Sequence, residues 1–183
     1  MKVEKPIVQF DRDKFLEAVH YVCSIFDPDK LGNVKLHKVL YFSDMFHFLD
    51  TGAPITGDDY IKQKFGPTAR HLAWAVRQLE KDRVLSVETQ DYHGYSKKKY
   101  LPMKKFKSEK LSSSELHMLK DAAKFLDDFS ARQASDISHN EAWRTAKMGE
   151  VIPYHTVYRL LPVELDESDM DWAKQEAKIH ALA

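Results

Sequence analysis

Nine histidines and a single cysteine are the side chains of this 183-residue sequence most able to hold a metal or attack a substrate. His37, Asp44 and His47 share one stretch, but separations of seven and three residues do not gather three ligands as an i, i+4 pair would. Ordinary helix histidines are expected there. His139 and Glu141 lie close in sequence, yet Ser138 and Glu141 have the spacing of a capping box, which already gives Glu141 a task. Cys23 sits beside Val22 and near Ile25 in an apolar helical pattern, which predicts a buried, reduced thiol. One cysteine excludes an intramolecular disulfide and a cysteine-rich zinc site, and a reducing cytoplasm is the simplest setting. Nucleophilic catalysis needs a base held beside the nucleophile. The sequence has no Gly-x-Ser-x-Gly elbow, no phosphate-cradling glycine loop and no dinucleotide fingerprint, and its six glycines leave little room for one. The reading is a non-enzyme with no catalytic residue, no metal ligand and no cofactor.

Two stretches could instead bind a macromolecule. A helix expected from Pro67 to Asp82, with Pro67 at its first position, turns Leu72, Val76 and Leu79 inward and projects Arg70, Trp74, Arg77 and Lys81 from its other side. Residues 91–110 hold seven lysines against two acids, with Tyr95 in the tip of an expected hairpin and Lys97 and Lys98 at the start of its second strand. Bulk charge is zero, 28 Lys and Arg against 28 Asp and Glu, which argues against attachment to nucleic acid by overall charge but permits a local patch. Aromatic and arginine anchors also dominate protein interfaces. A third reading leaves Arg77 and Lys81 solvated, packs Trp74 under the carboxy-terminal helices, and sets the five acids between Glu164 and Asp171 near the lysines.

The elements that must position these residues surround one helix. From Val34 to Leu49 the apolar residues do not keep to one side: Leu36, Val39, Leu40 and Phe46 make one stripe, Tyr41, Met45 and Phe48 the opposite face. A helix apolar nearly all round is a buried one, and Thr51-Gly52 is a natural stop. A first helix from Phe10 to Phe26, capped by Asp11 with Phe10 stapled on Phe15, precedes it, and Leu31-Gly32-Asn33 turns the chain between them. Tyr60 to Phe65 reads as a short strand, and Val84 to Gln90 and Lys97 to Leu101 as a hairpin with a six-residue tip, 91–96. Ser112 and Glu115 open a helix continuing through Phe129, Ser138 and Glu141 open a shorter one closed by Gly149, and Trp172 to Leu182 forms a last one. The expectation is a mainly α (α+β) chain, one domain over residues 1–183, with residues 10–110 carrying the central helix and hairpin and 111–183 a helical remainder. With 43% hydrophobic residues it can bury a substantial core. The order helix, helix, strand, helix, hairpin is also that of a winged helix-turn-helix. No signal peptide or membrane-spanning run is visible.

Three segments, Lys35-Leu36-His37-Lys38-Val39-Leu40-Tyr41-Phe42, Phe65-Gly66-Pro67 and Ser138-His139-Asn140-Glu141-Ala142-Trp143, resemble the landmarks of the Panacea or SocA-like antitoxin family. The family pattern runs K-L-x-K-L-L-Y-F, then G-P before a helix, then a His followed by a Trp in a carboxy-terminal helix. The resemblance covers about Phe15 to Leu160 and makes Lys35, Leu36, Lys38, Tyr41, Gly66, Pro67, His139 and Trp143 the motif residues. It implies a small cytoplasmic bacterial or phage protein, encoded beside a toxin that it neutralises by direct binding. Family members pair with unrelated toxins, and the SocA type also hands its toxin to a AAA+ protease. His37, where the family usually has Gln, and the lysine-rich hairpin depart from the pattern. The alternative function is a winged-helix DNA-binding regulator.

Overall fold

The structure is a computed structural model that describes residues 8–92 and 94–161. Helix α1 (Arg12–Ile25) starts where Asp11 accepts the N–H groups of Asp13 and Lys14, and Phe10 meets Phe15 edge-on at 5.6 Å. Helix α2 (Pro28–Thr51) is broken at Gly32 (φ 57°), the expected turn, and ends at Gly52 in the left-handed conformation. Two hairpins follow: β1 (Tyr60–Gln63) with β2 (Gly66–Ala69), then, after α3 (Leu72–Lys81), β3 (Leu85–Tyr92) with β4 (Tyr95–Pro102). Helices α4 (Ser113–Asp127), α5 (Ala131–Ser138) and α6 (Glu141–Thr145) and a 3₁₀ helix (Tyr154–Leu160) complete the mainly α, α+β fold.

Helix α2 is the central rod that the apolar pattern demands. Helices α1, α4 and α5, strands β2 and β4 and the 3₁₀ helix all pack on it. Leu36, Val39, Tyr41 and Met45 are fully buried on opposing faces, and Phe48 is nearly so. Phe46 departs from expectation: it is only half-buried, stacked on Phe42 at 5.6 Å. The rod also buries polar groups, and these choose its neighbours. Thr56 donates its N–H and hydroxyl, and Tyr60 its hydroxyl, to the Asp44 carboxylate; the Tyr154 hydroxyl, 3.3 Å away, donates to the Asp58 carbonyl. Loop, β1 and 3₁₀ helix are thereby tied to one side chain. Burial outweighs those donors and raises the Asp44 pKa.

Several boundaries differ from the sequence reading. Gly66-Pro67 does not open a helix: it begins β2, and α3 starts at Leu72. Pro67 faces Lys62 in the register, but Lys62 directs its own N–H to the Glu150 carbonyl and its carbonyl to Gly149. The pair is therefore a non-hydrogen-bonded one, and the missing proline N–H costs the ladder nothing. On the other side of β1, residues 149–152 run as a strap, with Ile61 bridged to Val151 and Ile152 donating to Tyr60. The β3–β4 ladder extends to Tyr92 and Tyr95, so the six-residue tip shrinks to a tight turn in which Gly94 (φ 81°) supplies the left-handed conformation. Ser138 is the last residue of α5 rather than a cap; Asn140 caps α6 by accepting the Trp143 N–H, and Thr145, not Gly149, is its last residue. Helix α5 itself, opened by a Ser130–Gln133 capping box, was not anticipated. Because β1 pairs with β2 while β3 pairs only with β4, no three-stranded wing forms among the described residues. The expected acidic stretch from Glu164 and last helix from Trp172 lie outside the described residues. No helix among the described residues is long and apolar enough to cross a membrane.

Replacing Asp44 by Ala would leave buried donors from Thr56 and Tyr60 without an acceptor, a loss of about 3 kcal/mol or more. Urea unfolding of Asp44→Ala should show it; Phe46→Ala should cost less than the roughly 3 kcal/mol typical of a fully buried aromatic.

Candidate interaction site

Two ammonium groups lie inside the packing of α2. Lys35 donates to the Asp127 carbonyl at 3.0 Å and sits 5.3 Å over the Phe26 ring, which ties α2 to the end of α4. Lys38, 2% exposed, donates to the Pro67 carbonyl at 2.7 Å. Removal from water pulls the Lys38 pKa down to about 7. Next to it, the backbone of Gly66 (φ 90°) is packed so closely that a Cβ there would lie 2.1 Å from Ser138 Oγ and 2.8 Å from Lys38 Nζ. Glycine is required twice over, by conformation and by space. Ser138 Oγ is itself fixed by donating to the Ser135 carbonyl at 2.6 Å.

The carboxy-terminal half of the cluster grips the same turn from the other end. Trp143 Nε1 donates to the Gln63 carbonyl at 3.3 Å, and the Trp143 ring lies against His139 at 4.2 Å with the Lys62 ammonium 3.9 Å from its centroid. The Lys64 backbone carbonyl faces the His139 ring, whose pKa is lowered by burial and then by the Lys38 charge. The Tyr41 hydroxyl is buried beside Asn140 without a well-formed hydrogen bond, and His139 Nε2 is likewise buried and unbonded. Burial raises the Tyr41 pKa. Lys38, Gly66, Pro67, His139 and Trp143, scattered over more than a hundred positions, thus converge on the backbone of residues 63–67, while Tyr41 is buried beside Asn140 and against the Tyr60 ring. Lys35 and the fully buried Leu36 act further along α2, on α4 and the core.

Residues 36–144, more than half the sequence, match the family model described as Antitoxin SocA-like, Panacea domain. The chain belongs to this antitoxin family. No curated protein and no solved structure gives a match. In this Panacea domain the residues expected as the family motif are buried or half-buried, and five of them, Lys38, Gly66, Pro67, His139 and Trp143, build a backbone clamp.

The residues expected to bind a partner are not gathered into one constellation. Arg70 and Asp59 pair at 3.3 Å, both half-exposed; Arg77 and Lys81 are exposed on α3. Trp74 is half-buried under the Arg12 guanidinium, 4.5 Å from its ring centroid. Lys97 donates to the Asp29 carbonyl and Lys99 pairs with the Asp29 carboxylate at 2.7 Å, so the basic hairpin leans on the start of α2. Lys98 is exposed on β4, which Tyr95 begins.

The suspected ligands have other tasks. His37 Nδ1 accepts the Ala69 N–H, and burial holds its pKa down to about 3, so the ring is neutral. His47 bonds the Ala53 carbonyl, and burial pushes the Cys23 thiol up. Sequence reasoning missed one acid–base pair: the His71 ring meets the buried Asp58 carboxylate at 2.6 Å and stacks on Phe10 at 4.2 Å. Among the described residues no hydroxyl or thiol hydrogen-bonds that ring. The pair joins the loop before β1 to α3. Also missed were Ser138 and Asn140 as clamp residues, although a lysine flanked by Leu36 and Val39 in an all-round apolar helix already requires a buried acceptor.

Gly66→Ala should destabilise by more than the roughly 1–2 kcal/mol that a left-handed non-glycine costs. Combining it with Ser138→Gly should recover about 1 kcal/mol relative to the sum of the single changes, read from a denaturation cycle. Because the folded Lys38 pKa is depressed to about 7, the unfolded chain holds more protons above that pH, so stability rises with pH there. The stability of the wild type relative to Lys38→Met should therefore be flat below pH 6 and grow by at most about 1.4 kcal/mol per unit from pH 7 towards 10.

Proposed function

We propose that this chain is the antitoxin of a toxin–antitoxin pair, acting in the cytoplasm by stoichiometric binding of a protein toxin and without catalysis. What supports the reading, beside family membership, is where the motif side chains go. Lys38, His139 and Trp143, the groups best suited to chemistry, engage the protein's own backbone or each other around one turn. A motif used to shape a surface suits recognition. The exposed cations, Arg70 before α3, Arg77 and Lys81 on α3 and Lys98 on β4, with Lys97 and Tyr95 of the same strand and Trp74 as a half-covered ring, are assigned to electrostatic steering of the toxin. Exposed charges of this kind set encounter rates more than affinity. Delivery of the bound toxin to a AAA+ protease, a property of the SocA type, is a separate step that this surface need not perform. The DNA-binding alternative has less support: α3 presents Glu80 between Arg77 and Lys81, and the hairpin lacks a third strand among the described residues.

Expressed alone, the gene adjacent to this one should arrest growth, and co-expression of this chain should restore it with a one-to-one complex recoverable on purification. A harmless neighbour, or rescue without a complex, would overturn the proposal.

A further inference from the structure

The turn between β1 and β2 joins the most closely held backbone of the structure to one of its most exposed apolar side chains. Phe65 is 62% exposed at the tip, although the carbonyls of Gln63 and Pro67 on either side are held by Trp143 and Lys38 and Gly66 is wedged against Ser138. The Lys64 ammonium rests 5.6 Å over the Phe65 ring. Beside the same end of β1, the turn that passes Lys62 carries Met148, 60% exposed, and leads to the half-exposed Val151. Apart from the Lys64 contact, most of the Phe65 ring faces water rather than the core. A rigid aromatic that is already in position loses little freedom on binding and is the kind of residue that dominates interface energetics.

We propose that Phe65, flanked by Met148 and Val151, is the anchor by which this chain seizes its toxin, and that the toxin receives it in an apolar pocket rimmed by carboxylates. The inference rests on the antitoxin reading and names the contact surface for it. Charge selects the partner's chemistry. Lys62, Lys64, Arg144 and Lys147 stand at this corner against Glu141 and Glu150, a local excess of two positive charges; Arg144 and Glu141 pair with each other and Lys62 donates to the Ala146 carbonyl, so Lys64 and Lys147 carry the excess outward. Three apolar side chains of different shapes favour a protein pocket over the stacked bases of a nucleic acid, which would reward a row of aromatics. The clamp accounts for the family motif in the same terms: it places the anchor and does not touch the partner.

The test measures binding of the purified product of the adjacent gene to the full-length chain, with Phe65→Ala, Lys64→Glu and, as a control at a distant exposed aromatic, Phe125→Ala. Phe65→Ala should weaken binding by about 30-fold or more, Lys64→Glu should weaken it with a reduced salt dependence, and Phe125→Ala should leave it unchanged, all with wild-type melting curves. Wild-type capture with Phe65→Ala within about threefold of it would overturn the anchor while leaving the antitoxin reading intact. Failure of the wild-type chain to bind would remove both. Sedimentation and a single-stranded oligonucleotide shift on the same proteins close the remaining routes: a Phe65-dependent dimer or a Phe65-dependent nucleic-acid complex, with toxin binding unaffected, would overturn the proposal.

Discussion

An ammonium group inside a packed helix bundle has to be met by oxygen, and the fold is arranged around that need. Lys38 cannot reach water from the middle of α2, so a carbonyl must come to it, and the one that comes belongs to Pro67. Bringing that carbonyl in fixes the path of the whole β1–β2 turn. Lys35 does the same for the end of α4, and Asp44 for the segment before β1 and, through Tyr60, for β1 itself. Apolar burial holds the rod at the centre, but its three buried charged groups decide which backbone lies against them. Apolar contacts alone would accept several arrangements of the surrounding pieces; matched donors and acceptors accept far fewer.

Seen this way, the family motif describes an architecture. Its clamp residues are far apart in sequence because they approach one turn from both sides, Lys38 from α2 and His139 and Trp143 from the α5–α6 connection and α6.

The sequence disclosed the interior better than the connections. All-round apolarity from Val34 to Leu49 located the rod, and the Ser112–Glu115 capping box located α4, because both signals are local. Gly66-Pro67 misled, since proline after glycine is as suited to a helix start as to a strand position whose N–H is unneeded; only the strap at 149–152, more than eighty residues later, makes it the latter. Ser138-x-x-Glu141 had the letters of a cap, but Ser130-x-x-Gln133 had them too and came first, so by residue 138 the chain was already helical. The clamp was half legible: the motif names its residues, while the contact that explains Gly66 is with a serine of no distinctive pattern.

That strap has one more effect. The family match stops at residue 144, yet Gly149, Glu150 and Ile152 satisfy the outer backbone groups of β1, and Tyr154 completes the belt of hydroxyls around Asp44. A fragment trimmed to the match would bare the rim of a two-stranded ribbon and invite other chains to pair along it. The structural unit therefore runs past its recognisable core, and its closing piece is what covers the outer edge of β1.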